Sequence, residues 1–578
     1  MENFAKKLKE GVSSLAGASQ DKPELRIIKL GAEVGATKNM TVYECGEEMI
    51  IVDCGIGFPD DEMLGIDVVI PDFTYVLENQ HKLKGVFVSH GHEDHFGAIP
   101  FLLSELNTPI YCNQLVQAFL TRRLEDRATK EVAESAEFHL FNSTTPAVKF
   151  KHFELSAFHV NHSVPDSLGI VIKTPQGTVV HMADYKIDFS PVIDAPFEFN
   201  KLTAVADSGI LCLVSDCLGA NHDGHSASER TLAPTLNRLV AQSEGKQIFL
   251  TTISSNISRM YQVIEAAIAN NRKVVTVGYS IGAAVEIARN LELLPFDKEV
   301  FVDLKHAKNY SPNELLYIVA GCYGQQGSAL YRLAHKEHKQ LEIQQGDLVI
   351  FSADPGPPTS YVAVEDILHY LTVAGADVIY SKIQDNLHVS GHGTRGDLET
   401  VACISKAKYF VPIGGTAAHM RAYKHMVEDL GYDSDTVFEM TEGNVLTFSE
   451  DSAAVTETIE VKQVYIDGSL PTGLSDIVLK DREMLSADGV FVVIVPMSKD
   501  KTSVVGSSEV VTRGFVYVKE NKALVGQAKD LVNKQLDKAN NSAIDWPVVK
   551  SGIEKDVRKY LQKETGRDPL VIVTAIGI

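Results

Sequence analysis

Residues 86–97 read VFVSHGHEDHFG: a short apolar run, then three histidines and two acids packed between His90 and His95. The run has the composition of a buried strand, and the glycine and acids behind it force the chain to turn. A loop at the end of a strand can aim alternate side chains at one point beyond the sheet edge. His90, His92, Asp94 and His95 follow the spacing H-x-H-x-D-H. Imidazole and carboxylate together suit zinc, manganese or iron, and the set offers ligands for two ions rather than one. The plain alternative is a solvated polar loop.

A hydrolytic metal site needs more ligands, supplied from later strand exits. His162 in FHVNHSVPDS and Asp184 in VVHMADYKIDF stand at such exits, with His159 and His181 as competitors that spacing alone does not separate. Asp53, in IIVDCG, reads either as a carboxylate that orients the ligand loop or as a turn residue before Gly55.

The rest of the chain has room for about three domains, with 578 residues of which 44% are hydrophobic. A polar tail over 1–24 lacks the apolar core of a secretion signal. From about 25 to 224 short β-rich runs dominate. From 225 to 395 strand-like and helix-like segments alternate, QIFLTT before SNISRMYQVIEAAIANN and KVVTVG before GAAVEIARNLEL, which predicts an inserted α/β domain with a mainly parallel sheet. Residues 396–450 return to the first domain through AKYFVPIGG, the Ser/Glu/Thr-rich 451–463 reads as a linker, and 464–578 forms a last domain with helices near 521–540 and 548–563.

Composition excludes several classes. No apolar run is long enough to cross a membrane, and seven scattered cysteines, never paired as C-x-x-C, suggest reduced thiols and a cytoplasmic location. A net charge of -22 argues against a generally basic nucleic-acid coat, so any such site must be local. The glycine-rich GCYGQQGSA at 321–329 lacks the lysine of a nucleotide-binding loop.

The stretches LGAEVGATKNMTVYE, SHGHEDHFGAIPFLL, HSVPDSLGIVIKTPQGTVVHMADYKIDF and HVSGHG together resemble ribonuclease J, the branch of the metallo-β-lactamase superfamily with an inserted β-CASP domain. The resemblance runs from about residue 26 to the C-terminus. It implies a four-layer αββα metallo-β-lactamase domain, split by the α/β insertion and followed by a small α/β domain. It further implies two divalent cations, zinc with manganese as the alternative. His90, His92 and His162 would hold one, Asp94 and His95 the other, and Asp184 would bridge them. In the insertion, His392, oriented by Glu229, would be the acid that protonates the departing 3′ oxygen, while His388, Ser390 and Gly391 would grip a phosphate. Asp216, in LVSDC at the strand end before the insertion, reads as a structural cap, with lining of the same cleft as the alternative. The implied substrate is single-stranded RNA with a 5′-monophosphate end, cut by 5′-to-3′ exonuclease and endonuclease action. Homodimers or homotetramers and a place in an RNA degradation complex are implied as well.

One position departs from the resemblance. Where the family closes the second metal site with a histidine in a P-x-H-G-E turn, this chain has VPIGGTAAHM, with Gly414 at that place and Thr416 in place of the acid. Glycine brings no ligand atom, which predicts a weakened second site, with His419 as the candidate replacement. An inactive RNA-binding or structural subunit is the alternative to an enzyme.

Overall fold

Strands form where short runs of β-branched and aromatic residues lie between turn signals, and two sheets gather those of the first domain. The computed structural model describes residues 22–577 apart from 32–35, 61–62, 355–359, 451, 469, 472–475, 499–502, 517–519 and 540–544, so the expected tail over 1–24 lies almost wholly outside the described residues. The first sheet has eight strands, in the spatial order Ser452–Thr458, Asn444–Ser449, Leu25–Lys29, Thr41–Cys45, Glu48–Val52, Leu83–Phe87, Ile110–Cys112, Phe138–Leu140. The second has six: Tyr409–Ile413, Cys212–Asp216, Gly177–Met182, Leu168–Thr174, Glu154–His159, Val148–Lys149.

The sheets pack face to face. Ile27, Val52 and Phe87 from the first and Leu155, Ile170, Val179 and Val214 from the second share one fully buried core. Helices cover the outer faces: Ile99–Glu105 and Gln114–Arg127 on the first sheet, Phe199–Asp207, Arg395–Ser405 and Ala417–Asp429 on the second. This is the αββα sandwich that the resemblance implies, each sheet burying both faces.

The insertion leaves after Cys212–Asp216 and returns as Tyr409–Ile413, which pairs with that same strand in parallel, Asp216 opposite Ile413. Its own sheet is parallel throughout, in the order Lys273–Val277, Leu315–Val319, Ile248–Thr251, Leu348–Phe351, Asp377–Ile379, with a helix-lined apolar core on each face. Ligand sites of such sheets lie outside the carboxyl ends of the strands.

Two features differ from the expectation. The stretch 451–463, read as a linker, carries the edge strand Ser452–Thr458, paired antiparallel with Asn444–Ser449. Its polar side chains sit largely exposed, as an edge strand permits, so composition alone makes it look unstructured. Val464–Asp467, placed by sequence in the last domain, pairs with Val68–Ile70 beside the first. The chain separates into two compact units, Met1–Phe58 with Val68–Pro471, and Pro59–Asp67 with Thr472–Ile578. The second unit has a three-stranded sheet (Glu509–Arg513, Val490–Met497, Leu570–Gly577) with helices Lys522–Ala539 and Trp546–Thr565 contributing to its core. Among the described residues no helix is long and apolar enough to cross a membrane.

Candidate metal centre and cleft

The strand Leu83–Phe87 delivers Ser89 and His90 at its exit, and the chain then turns through His92 into the short helix Glu93–Phe96. The turn crosses the Asp53–Gly55 loop so closely that a β-carbon on Gly55 would lie 1.6 Å from the Asp94 carbonyl oxygen, which only glycine permits. Cys54 N donates to the His95 carbonyl at 2.7 Å, fastening the two loops.

His90 Nε2, His92 Nδ1 and His162 Nε2 converge, with His92 Nδ1 3.2 Å from the first and 3.1 Å from the last. Asp184 Oδ2 faces them at 3.6 Å from His90 and 3.7 Å from His162. A tetrahedral ion with bonds of about 2.0 Å spaces its ligand atoms about 3.3 Å apart, so these four groups fit one. Asp184 Oδ2 also stands 3.4 Å from His95 Nε2, which is 3.6 Å from Asp94 Oδ2. These three groups line a neighbouring position, but their ligand atoms do not close on one point as the first four do.

At the first position the protonation states suit metal, whereas at His95 burial opposes a charge but the Asp184, Asp94 and Asp53 carboxylates outweigh it and hold the imidazole well above the usual histidine range. Burial, together with the charges of neighbouring histidines, holds His90 and His162 well below the usual histidine range and His92 at about 3, so all three present lone pairs. Burial works against a charge on Asp184, yet the histidines around it hold its carboxyl well below the usual carboxylate range. His90 and His95 are oriented from behind. Asp53 Oδ1 accepts from Ser89 N at 2.7 Å, and its Oδ2 accepts from Ser89 Oγ and His95 Nδ1, both at 2.8 Å. Ser89 Oγ lies 2.9 Å from His90 Nδ1, so one carboxylate steadies two imidazoles through their Nδ1 atoms and turns their Nε2 atoms toward Asp184.

The return of the insertion reaches the same point. His162 Nδ1 lies 2.7 Å from the Gly391 carbonyl, and a β-carbon on Gly391 would meet the His162 ring at 2.8 Å. His392 Nε2 is 3.8 Å from Asp184 Oδ2, while its Nδ1 lies 2.7 Å from Asp216 Oδ2. Burial opposes charging His392, but the Asp216 and Asp184 carboxylates outweigh it and raise the imidazole to about 9. The two carboxylates thus hold the ring toward its charged form. Ser390 Oγ accepts from His392 N at 3.0 Å, and burial, with the charge of Arg259, lowers His388 to about 4.

Two expectations change here. Glu229 does not orient His392: its carboxylate is taken by the buried guanidinium of Arg259, and Asp216 holds the imidazole instead. Gly391 adds a contact the sequence does not foresee, its carbonyl meeting His162 Nδ1. His419 turns its Nδ1 back to Thr416, 3.2 Å from the backbone N and 2.9 Å from Oγ1, as the capping box of helix Ala417–Asp429. A β-carbon on Gly414 would lie 3.5 Å from Asp216 Oδ1 and 3.6 Å from Asp184 Oδ1, so a side chain there would start between these two carboxylates. The competitors fall outside the cluster. His159 Nε2 faces the Ala195 carbonyl and Asp194, and His181 Nδ1 faces Tyr43 Oη at 2.7 Å. The sequence does not single out Asn39, whose Nδ2 is 3.0 Å from His95 Nε2, or Ser163, whose Oγ is 3.2 Å from His92 Nε2. Both belong to or adjoin the motifs above, and nothing in their type marks them.

A two-sheet sandwich with histidine and aspartate gathered at its mouth belongs to the metallo-β-lactamase class, and residues 36–245 match the family described as metallo-beta-lactamase superfamily. Residues 245–371 match the ribonuclease J beta-CASP domain and residues 477–578 the ribonuclease J C-terminal domain. The chain is 32% identical over 549 residues to "Ribonuclease J2" of Bacillus subtilis (strain 168), covering 95% of this chain and 98% of that protein. It is 33% identical to "Ribonuclease J 1" of Streptococcus pyogenes serotype M3 over 553 residues, 95% and 97% of the two chains. It belongs to the ribonuclease J family. A crystal structure titled as a protein of unknown function from Enterococcus faecalis V583 shares the fold, with a TM-score of 0.51 at 14% identity, over 74% of this chain and 100% of that one.

Proposed function

We propose that the chain hydrolyses RNA phosphodiesters to 5′-phosphate products, as a 5′-to-3′ exonuclease that also cuts internally. Family membership makes it a metal-dependent ribonuclease in kind. The observation that carries the finer reading is the meeting of His392, charged and held by Asp216, with Asp184 of the metal cluster across 3.8 Å. That juxtaposition sets a proton donor beside the ligands of a hydrolytic centre.

His90, His92, His162 and Asp184 would hold one divalent cation, and Asp94 and His95 with Asp184 the second, zinc or manganese by ligand type. Cations bound there supply Lewis acidity at the phosphoryl oxygens and lower the pKa of the attacking water. The residues do the rest. His392 Nε2 gives its proton to the departing 3′ oxygen, and Asp216 stabilises the imidazolium before transfer and fixes which nitrogen points at the leaving group. His388 and Ser390, ahead of it in the same turn, take the phosphate of the terminal nucleotide. Single-stranded RNA suits a local site on a chain of net charge -22, because stacking and backbone contacts carry such strands without a basic face. The setting we propose is cytoplasmic, as a homodimer or homotetramer working in an RNA degradation complex.

Release of labelled nucleotide from 5′-monophosphate RNA tests this. Wild-type protein with zinc or manganese should release it and His92→Ala should not; equal release by both would overturn the assignment. Gly414 favours a second reading, a weakly active or inactive subunit that binds RNA for a partner. Metal counting separates the two: two ions per chain with hydrolysis support the enzyme, one or none without hydrolysis the subunit.

A further inference from the structure

The guanidinium of Arg259 is fully buried at the start of helix Ile257–Ala269, and the contacts of its three nitrogens join three separate parts of the chain. Nε and Nη2 donate to the two oxygens of Glu229, the second at 3.1 Å. Nη1 donates to Ser352 Oγ at 2.8 Å, to the Ser352 carbonyl, and to the Leu387 carbonyl at 3.3 Å. Ser352 Oγ donates in turn to the Leu387 carbonyl at 2.7 Å. Ser352 directly follows the strand Leu348–Phe351, at the carboxyl edge of the inserted sheet.

These contacts close a ring. Leu387 precedes His388, and the same turn ends at Gly391, whose carbonyl receives His162 Nδ1. In the other direction Glu229 N donates to Asp188 Oδ2 at 3.1 Å, and Asp188 N to Asn161 Oδ1 at 3.3 Å, one residue from His162. The metal-cluster loop and the turn 388–392 are thus tied twice, once directly and once around through Arg259. We infer that Arg259 is a positioning residue that aligns the turn 388–392 with the metal cluster, and so sets the preference for a 5′-phosphate end.

The inference rests on the reading of that turn as the phosphate grip, and adds what holds the grip in place. A bidentate carboxylate pair fixes the plane of a guanidinium, so its remaining nitrogen points one way only. The His388 ring has little to fix it. Its Nδ1 is buried and meets no hydrogen-bond partner among the described residues, and its Nε2 stands 3.6 Å from the Asp354 carboxylate, beyond hydrogen-bond reach. The backbone at Leu387 is therefore what sets its place. Contact with RNA is ruled out for Arg259 itself, since none of its side chain is exposed.

The test compares matched oligoribonucleotides with 5′-monophosphate and 5′-hydroxyl ends on wild type, Ser352→Ala and Arg259→Lys, in full-length metal-loaded protein. Metal content and melting temperature are measured alongside. Ser352→Ala removes one anchor of Leu387 and leaves the buried ion pair intact. It should cut the preference for the phosphorylated end by about tenfold, seen in KM more than in kcat, with metal content near wild type. Arg259→Lys, keeping the charge and losing the fork, should cut it further. Folded, metal-loaded variants that keep the wild-type ratio overturn the inference alone. A wild type that hydrolyses RNA without preferring either end overturns the phosphate reading and this inference with it. If wild type hydrolyses neither, anisotropy with non-cleavable 2′-O-methyl oligonucleotides of the two end types gives the same comparison as a ratio of Kd values.

Discussion

Asp53 receives hydrogen bonds from a backbone amide, a hydroxyl and an imidazole, and does so from a left-handed backbone conformation, φ 61°. Asparagine tolerates that conformation, so Asp53→Asn isolates the side-chain chemistry. An amide cannot accept at both positions, and His95 and His90 lose the partner that fixes their orientation. Metal affinity should fall about 10- to 100-fold by competition with a chromophoric chelator, with secondary structure unchanged. Asp216→Asn acts on the acid instead. The carboxylate that charges His392 disappears, and kcat should fall about 10²- to 10⁴-fold at unchanged metal content. At this scale the sequence is legible where ligands are dense. The spacing of His90, His92, Asp94 and His95 points to metal from local pattern alone, whereas strand exits leave His162 and Asp184 in competition with His159 and His181, and only the family resemblance chooses between them. Asp216 looks like a structural cap because its partner lies 176 residues further on, and Glu229 looks free to orient His392 because Arg259, its buried partner, carries no sign of burial in the sequence.

Single elements carry two further expectations. His419 serves helix Ala417–Asp429 as its capping partner, so His419→Ala should cost about 1 kcal/mol of stability, read by thermal melting, and leave metal affinity unchanged. A fall in affinity would restore it as a ligand. His159, at the exit of strand Glu154–His159, faces Asp194 Oδ1 at 3.2 Å. Burial lowers its pKa, but Asp194, and Asp166 behind it, raise it above the ordinary 6.5. A raised folded-state pKa stabilises fully below the unfolded value and fades as pH climbs through the folded one. Asp194→Asn should therefore lower the melting temperature more at about pH 5.5 than at about pH 8.5, and an equal loss at both would refute the ion pair. Elements with strong periodicity match their reading: the helices Lys522–Ala539 and Trp546–Thr565 stand close to where apolar spacing puts them. Ser452–Thr458 escapes notice because an edge strand with exposed side chains has no buried face to pattern.

At the scale of the molecule, the apolar cores of the two stacked sheets, the insertion and the last domain are built without the metal ligands. Chelation should thus abolish hydrolysis and leave circular dichroism nearly unchanged. Restored zinc should raise the melting point by mass action, adding about 2.7 kcal/mol of stability at a hundredfold excess over Kd. The alternation of strands and helices after residue 225 announces an insertion, but nothing local shows that its two ends lie side by side, Asp216 opposite Ile413.

That His162 leans on the carbonyl of Gly391 also bears on how such a catalyst can be taken apart. A shortened chain joining residue 224 directly to 396 would keep its walls and most of its ligands, yet one imidazole would swing loose. The smaller module is no miniature of the whole, and a transplant of this chemistry onto another sandwich must carry the far loop with it.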